Sequence, residues 1–377
     1  MLNGYYYQNL DEQGRNSYGA IATAIMNRDA ECVVQGGEEV ASAAWKAVLY
    51  DNPQNIHYPG LFCYPTTNGS TTRMTFSYSD VDENEFEIKL NELIRKIEGK
   101  LSWDSSEYTI CKAIFDSIVS EVEYEIDALN EYFELDSKPH TQQDVVDCLR
   151  KYGPCFTPYG VLLNKKGVCQ GFSKLFKILC DRFRIECAVA EAKSNGAAEN
   201  AQCDHMINVV EINGVRAFID LTNCLKSTGT PVIRYDYFLV SQRIINKSFT
   251  VPENFGCEDE TLNYFVRNNL RFTTMGELRQ YLTSYSVKRN GGEVRCFYDA
   301  EDVDDEKLRD VFQELNGSHS EERYVMPGTM VKNGFCTGLL TDDEKLLDQI
   351  ERQLKKEEEK EKQKRINKKY MEENANG

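Results

Sequence analysis

The chain has 377 residues, enough for two or three compact units that each bury a core, and its 41% hydrophobic content is ordinary for a folded protein. Its net charge is −17, from 61 acidic against 44 basic residues, and an acidic body repels phosphate backbones, so no nucleic acid partner is expected. No run of 18 apolar residues exists, so no membrane span is expected either.

The first residues, MLNGYYYQNL, carry neither a basic region nor an apolar run of signal-peptide type. Thirteen cysteines lie scattered from Cys32 to Cys336 without a CxxC pair, which points to reduced thiols rather than a disulfide framework. The expected location is cytoplasmic, or secreted or surface if a signal peptide has been removed.

In chain order, Asp11 to Met26 and Glu38 to Leu49 have helical spacing. HYPGLFCYP and TRMTFSYS are rich in aromatic and β-branched residues, and Asn68-Gly69 between them predicts a hairpin. From Glu83 to Leu101, Phe86, Ile88, Leu90, Leu93, Ile94 and Ile97 define an amphipathic helix. These elements predict an N-terminal α+β unit over 1–100.

The next unit, 101–252, opens with a helix in SSEYTICKAIFDSIVSEVEY, capped by Ser105 or Ser106. DALNEYFELDSKPHTQQD reads as a polar loop, and GVLLNKKG leads into a helix beginning at Cys169. Strands are predicted at 186–193, 205–212, 215–222 and 235–241. Over 253–340 a small C-terminal α+β unit is expected, with a capping box at Thr274 and Glu277, a strand in EVRCFYD and a helix in DDEKLRDVFQEL. A charged helical tail, 341–377, carries a short stripe of Leu347, Ile350 and Leu354.

The chemistry starts from the hairpin. Asn213-Gly214 between two alternating runs is a strong two-residue turn signal. Pairing Ile212 with Val215 sets every opposed pair to sum to 427, so Ile207 faces Asp220 and His205 faces Thr222. His205 and Asp220 become diagonal neighbours on one face, about 7–8 Å apart at the backbone and within reach of each other's side chains. The opposite face holds Met206, Asn208, Val210 and Ile212, core apart from Asn208, whose expected role is a hydrogen bond to backbone. A carboxylate on one ring nitrogen fixes the tautomer and leaves the other nitrogen to serve a thiol.

Cys169 is the candidate thiol. It lies two residues after Gly167 and opens a helix whose apolar stripe is Phe172, Leu175, Phe176, Leu179 and Phe183. A helix N-terminus favours thiolate and offers N–H groups to an oxyanion. Docking of that helix on the face carrying His205 would complete a Cys–His–Asp triad. A metal alternative takes Cys203 with His205, Cys169 and Asp220, but the usual zinc spacings are missing, so no metal and no cofactor are expected.

KGVCQGFSKLF, DHMIN and FIDLT together resemble the transglutaminase-like superfamily, whose core uses Cys, His and Asp in this chain order. YGVLLNKKGVCQGFS, YDYFLVS and the YYYQNLDE start are similar to bacterial members. The resemblance covers roughly 100–252, and the first hundred residues loosely. It implies an α+β fold with a papain-like, transglutaminase-type core, the cysteine helix packed on an antiparallel sheet, and small flanking α+β units. It also implies acyl transfer through a thioester on a peptide or protein substrate: Cys169 as nucleophile, His205 as base and acid, Asp220 as orienting acid. Tyr159 and Gln170 are the candidate oxyanion or substrate-binding residues, Gln170 being equally suited to packing at the helix start. Hydrolysis, as a peptidase or amidase, is expected ahead of cross-linking. The sequence departs from the family at Ile207, where tryptophan is usual, and Asp204 places a second carboxylate beside the imidazole. The alternative is an inactive member kept as a binding or scaffold protein.

Overall fold

The computed structural model describes residues 1–196, 203–225, 232–284, 293–300, 304–317 and 330–339, with positions 352 and 355. The expected tail over 341–377 therefore lies almost wholly outside the described residues. The chain divides into two units, 1–225 with 237–263, and 226–236 with 264–377, in place of the three units and tail expected from composition. Among the described residues, no helix is long and apolar enough to cross a membrane.

The first unit opens with α1 (Tyr5–Asn9), α2 (Glu12–Asn27) and α3 (Glu38–Asp51). The side chain of Asp11 accepts from the N–H of Gly14 and starts α2. A small antiparallel sheet, β1 (Glu31–Gln35), β2 (Thr66–Asn68) and β3 (Thr71–Thr75), has the order β1-β3-β2. The Asn68-Gly69 hairpin is present, but HYPGLFCYP is irregular. Pro59 and Pro65 cannot donate to a ladder, and Gly60 and Phe62 both have positive φ, 73° and 53°.

A shared core fuses these elements to the remainder of the unit. Tyr6, Ile21, Ala44, Val48, Tyr58 and Phe76 cluster with Val189, and Met206 packs against them. The Tyr6 hydroxyl donates to the carbonyl of Val189 at 2.9 Å, and Lys46 meets Glu191 at 2.6 Å. No boundary can fall at residue 100 when apolar side chains cross it in one cluster.

Then come α4 (Glu83–Glu98), α5 (Glu107–Val119), β4 (Glu123–Tyr124), α6 (Ile126–Asp136), α7 (Gln142–Tyr152) and β5 (Lys166–Gly167). Ser106 caps α5, accepting from Thr109. The polar stretch expected to be a loop is two helices. Ala128 is buried in a cluster with Val145, Leu149 and Val168, and Leu129, Tyr132 and Leu135 pack on it. That is a helical stripe diluted by acidic residues on its solvent side.

The centre of the unit is α8 (Cys169–Arg182) on a five-stranded antiparallel sheet of β6 (Glu186–Ser194), β7 (His205–Ile212), β8 (Val215–Ile219), β9 (Phe238–Val240) and β10 (Phe249–Thr250), in the order β10-β6-β7-β8-β9. The expected α+β core, a cysteine-headed helix against an antiparallel sheet, is the observed one. Every residue of α8 from Cys169 to Cys180 is buried. Its polar side chains are matched where the sheet and loops offer acceptors: Lys177 donates to the carbonyl of Cys187 at 3.0 Å and to Asp181 at 3.1 Å. A short helix, α9 (Gln242–Ile245), lies after β9.

The second unit carries α10 (Tyr264–Arg267), β11 (Arg271–Phe272), α11 (Met275–Thr283), β12 (Glu293–Tyr298), α12 (Asp305–Gly317), β13 (Met330–Lys332) and β14 (Phe335–Leu339). Its sheet order is β11-β12-β14-β13, and the Thr274–Glu277 capping box starts α11 as the sequence indicates.

Candidate active site

The approach to Cys169 is built from backbone. β4 and β5 form a two-residue parallel ladder with Tyr124 opposite Gly167, extended by the N–H of Glu125 donating to Gly167 at 2.9 Å. Val168, extended at φ −107°, then starts α8 with no side-chain cap, so the first N–H groups of the helix are left for other acceptors. The start of the helix is pressed against neighbouring carbonyls. A Cβ at Gly171 would lie 2.6 Å from the carbonyl oxygen of Cys155 and 2.9 Å from that of Thr157, so only glycine fits.

The His–Asp pair comes from the hairpin, in the expected register. Asn208 pairs with Ile219, Val209 with Phe218 and Ile212 with Val215. The ladder ends at Ile219, one residue before Asp220. On the other side of β8 the register steps from Phe218–Val240 to Ile219–Phe238, leaving Leu239 as an extra residue at φ 55°. This bulge sits beside the acid, where bulges re-aim side chains. The N–H of Asp220 goes to the carbonyl of Tyr237 at 3.0 Å.

Nε2 of His205 lies 2.8 Å from Oδ2 of Asp220. The carboxylate also accepts from the Thr222 hydroxyl at 2.8 Å, the Asn223 N–H at 3.1 Å and Asn223 Nδ2 at 2.7 Å. Burial alone would raise the acid of Asp220. The imidazole of His205 and the Asn223 and Thr222 donors overcome that and hold it down at about 2. Burial likewise pushes His205 down, but the Asp220 charge and hydrogen bond, joined by Cys169, carry it well above the ordinary imidazole value. Nε2 is given to Asp220, which leaves Nδ1 as the second ring nitrogen. The structure thus pairs His205 with Asp220 by a hydrogen bond and places Cys169 close enough to act on the same imidazole.

The helix reaches that chain by a different route from the one expected. Asn208, of opposite parity to His205, donates to the carbonyl of Ser173 at 3.0 Å, so α8 lies on the face carrying Asn208. The three residues meet because all stand at element ends: Cys169 first in α8, His205 first in β7, Asp220 just past β8. The backbone bond expected of Asn208 is the one that docks the helix.

Tyr124 completes the surroundings. Its phenol lies against Cys169, whose side chain opposes the phenolate and whose backbone favours it. Burial, then the charge of Cys169, hold this phenol far above its ordinary value, so it stays a protonated donor at neutral pH. The ring of His205 is covered by Phe249, stacked at 4.7 Å between centroids and 12° between planes.

The other candidates land elsewhere. Tyr159 stacks on Phe86 at 6.5 Å with its phenol near Glu85 and Asp82; the aromatic at Cys169 is Tyr124. Gln170 spends its amide on the carbonyls of Pro59 at 2.6 Å and Phe156 at 2.9 Å, a packing role. Asp204 directs its carboxylate to the N–H of Ser194 at 2.8 Å. Ile207 is fully buried. Among the described residues, no group of three or more His, Cys, Asp or Glu side chains is placed to hold a metal ion. Sequence reasoning missed Tyr124, Thr222, Asn223 and Phe249. The T-N after Asp220 could have been read as a turn that donates to the preceding carboxylate.

No protein-family model matches the chain, and no curated protein does. Solved structures do. One is a TGase, at 16% identity over 44% of this chain and 44% of that one, with a TM-score of 0.29. A candidate cysteine protease from Cytophaga hutchinsonii matches at 16% identity over 42% of this chain and 56% of its own, TM-score 0.24. A candidate protease from Parabacteroides distasonis ATCC 8503 matches at 10% identity over 44% of this chain and 40% of its own, TM-score 0.23. The chain spans under two thirds of each.

Proposed function

We propose that this protein is a thiol-dependent acyl-transfer enzyme acting on peptide or protein amides, with Cys169, His205 and Asp220 as its triad. The observation that supports this reading is the buried His205–Asp220 pair at 2.8 Å, with Cys169 at the head of α8 near enough to raise the imidazole further. Cys169 Sγ attacks the carbonyl carbon and His205, through Nδ1, gives a proton to the leaving amine, so that a thioester replaces the amide. Asp220 keeps Nε2 of the ring protonated and stabilises the imidazolium. The oxyanion is taken by the N–H of Cys169 at the uncapped start of α8 and by the hydroxyl of Tyr124, whose phenol lies against Cys169. Water, deprotonated by His205, then releases the acid. Hydrolysis ranks ahead of cross-linking because it asks for no second channel that admits an amine and excludes water.

The rival reading, a scaffold that keeps the triad unused, draws on the enclosure of Cys169, which is 6% exposed beneath Tyr124. Iodoacetamide kinetics with mass-spectrometric localisation decide between them. An enzyme gives Cys169 alkylation near neutral pH well above the rate of free cysteine, lost in His205→Ala. A rate no faster than free cysteine removes the enzyme reading. A peptide library screened against wild type and Cys169→Ala then identifies the substrate.

A further inference from the structure

We propose that Phe249 is a positioning residue for the imidazole of His205: lying flat on the ring, it holds the plane that serves Asp220 and Cys169 together and favours the protonated ring. The inference rests on the thiol-chemistry reading above.

The geometry is specific. In the order β10-β6-β7, Phe249 pairs with Ser194 and His205 pairs with Ala192, so the two rings rise from the same face with one strand between them. The two positions of β6 between them, Ser194 opposite Phe249 and Ala192 opposite His205, both carry small side chains. Ala188, Ala190 and Ala192 alternate along this face of β6, and the rings meet over it at 4.7 Å and 12°. A larger side chain at 192 would crowd the rings.

Phe249 is itself fixed. It is buried, β10 is tied by the N–H of Asn195 to the carbonyl of Ser248 at 2.9 Å, and the Tyr237 ring meets Phe249 at 6.4 Å and 69°. The Tyr237 hydroxyl bonds Ser248 Oγ at 2.6 Å, linking β10 to the strand beside Asp220.

An imidazole turns about its second side-chain torsion in a broad, shallow well, so its own rotamer does not set the ring plane. A flat neighbour does. A π face against the ring also attracts its cationic form more than its neutral form. The charged or titratable groups around His205 are Asp220 beyond β8, Cys169 on α8 with Tyr124 of β4 against it, and Asp204 next in the chain, turned toward Ser194. From β10 it receives only the uncharged ring.

The test is NMR titration of the four histidines in wild type, Phe249→Leu, Phe249→Tyr and Ala192→Val, beside the pH profile of Cys169 alkylation by iodoacetamide. Phe249→Leu should lower the His205 midpoint by roughly half to one pH unit. It should move the acid limb of alkylation upward by a similar amount. Phe249→Tyr should restore both midpoints, and Ala192→Val, which displaces the stack without touching Phe249, should act like Phe249→Leu. A His205 midpoint unmoved or raised in Phe249→Leu or in Ala192→Val overturns the proposal, since loss of packing alone lowers the melt and, by relieving burial, can only raise the midpoint. A wild-type Cys169 that alkylates as a free thiol instead overturns the underlying reading, and the proposal with it.

Discussion

The carboxylate of Asp220, 0% exposed, accepts the imidazole of His205 at 2.8 Å and three further hydrogen bonds from Thr222 and Asn223. An acid so saturated with donors is built to remain charged while buried. Asp220→Asn keeps the shape and presents an amide N–H2 toward groups that are themselves donors. Turnover should fall by roughly a thousand-fold or more, because the ring loses the partner that fixes its tautomer. Cys169 alkylation should lose its neutral-pH advantage. A variant with wild-type turnover would remove Asp220 from the mechanism.

The same pair sets a pH window for stability. Asp220 is held at about 2 in the folded protein against about 3.9 unfolded, so its contribution is present above pH 4 and disappears as pH falls toward 2. His205 is raised on folding, so its contribution is complete below about pH 6.5 and is lost as pH rises through the folded value. The pair stabilises most between these limits. Urea unfolding of wild type and His205→Ala should therefore differ most near pH 5, with the difference shrinking toward pH 3 and again as pH rises through the folded value of His205.

Tyr124→Phe separates the oxyanion role from thiol activation. Loss of one donor to a developing oxyanion costs roughly a hundred-fold in kcat, with KM little changed. Alkylation by iodoacetamide forms no oxyanion, so its rate should hold or rise as the phenol leaves the sulfur. A parallel fall in both rates would assign Tyr124 to the thiol rather than to the carbonyl oxygen.

How far these residues are legible in the sequence depends on how local their determinants are. The Asn213-Gly214 turn fixes the register of β7 and β8, and with it the meeting of His205 and Asp220, within sixteen residues. The amphipathic run after Cys169 likewise announces its own helix. Tyr124 depends on a two-residue parallel ladder between segments some forty residues apart, which no periodicity marks, whereas Tyr159 is merely the nearer aromatic along the chain. Phe249 depends on a strand order that places β10 at the far edge of β6. The helices α6 and α7 are hidden by the acidic residues on their outer faces, although Ala128, Leu129, Tyr132 and Leu135 keep a helical spacing. The face taken by α8 is open in the sequence because both faces of the hairpin are apolar.

Gly171→Ala tests the close approach at the start of α8. Its added methyl meets two backbone carbonyl oxygens, of Cys155 and Thr157, at 2.6 and 2.9 Å, and backbone yields less easily than side chains. The cost should be about 1–3 kcal/mol, seen as a fall of a few degrees in Tm. Activity measured well below that melt should fall further than stability does, since the strain lies two residues from the thiol. An unchanged Tm would show that α8 can slide without penalty.

Lys174 tests burial within α8. It is 2% exposed, and burial lowers its amine to about 7, against about 10.4 in the unfolded chain. Between those values the unfolded state holds a proton that the native state does not, so stability rises with pH by up to about 1.4 kcal/mol per unit from this group alone. Below pH 7 both states are protonated and the contribution is flat. Lys174→Met keeps length and apolar contact and removes the charge. It should stabilise the protein at pH 7, and the difference from wild type should shrink steadily as pH is raised to 10. Guanidinium unfolding of the two proteins at pH 7, 8, 9 and 10 measures that slope, and a difference that stays constant with pH would show that the amine is already charged and solvated in the folded helix.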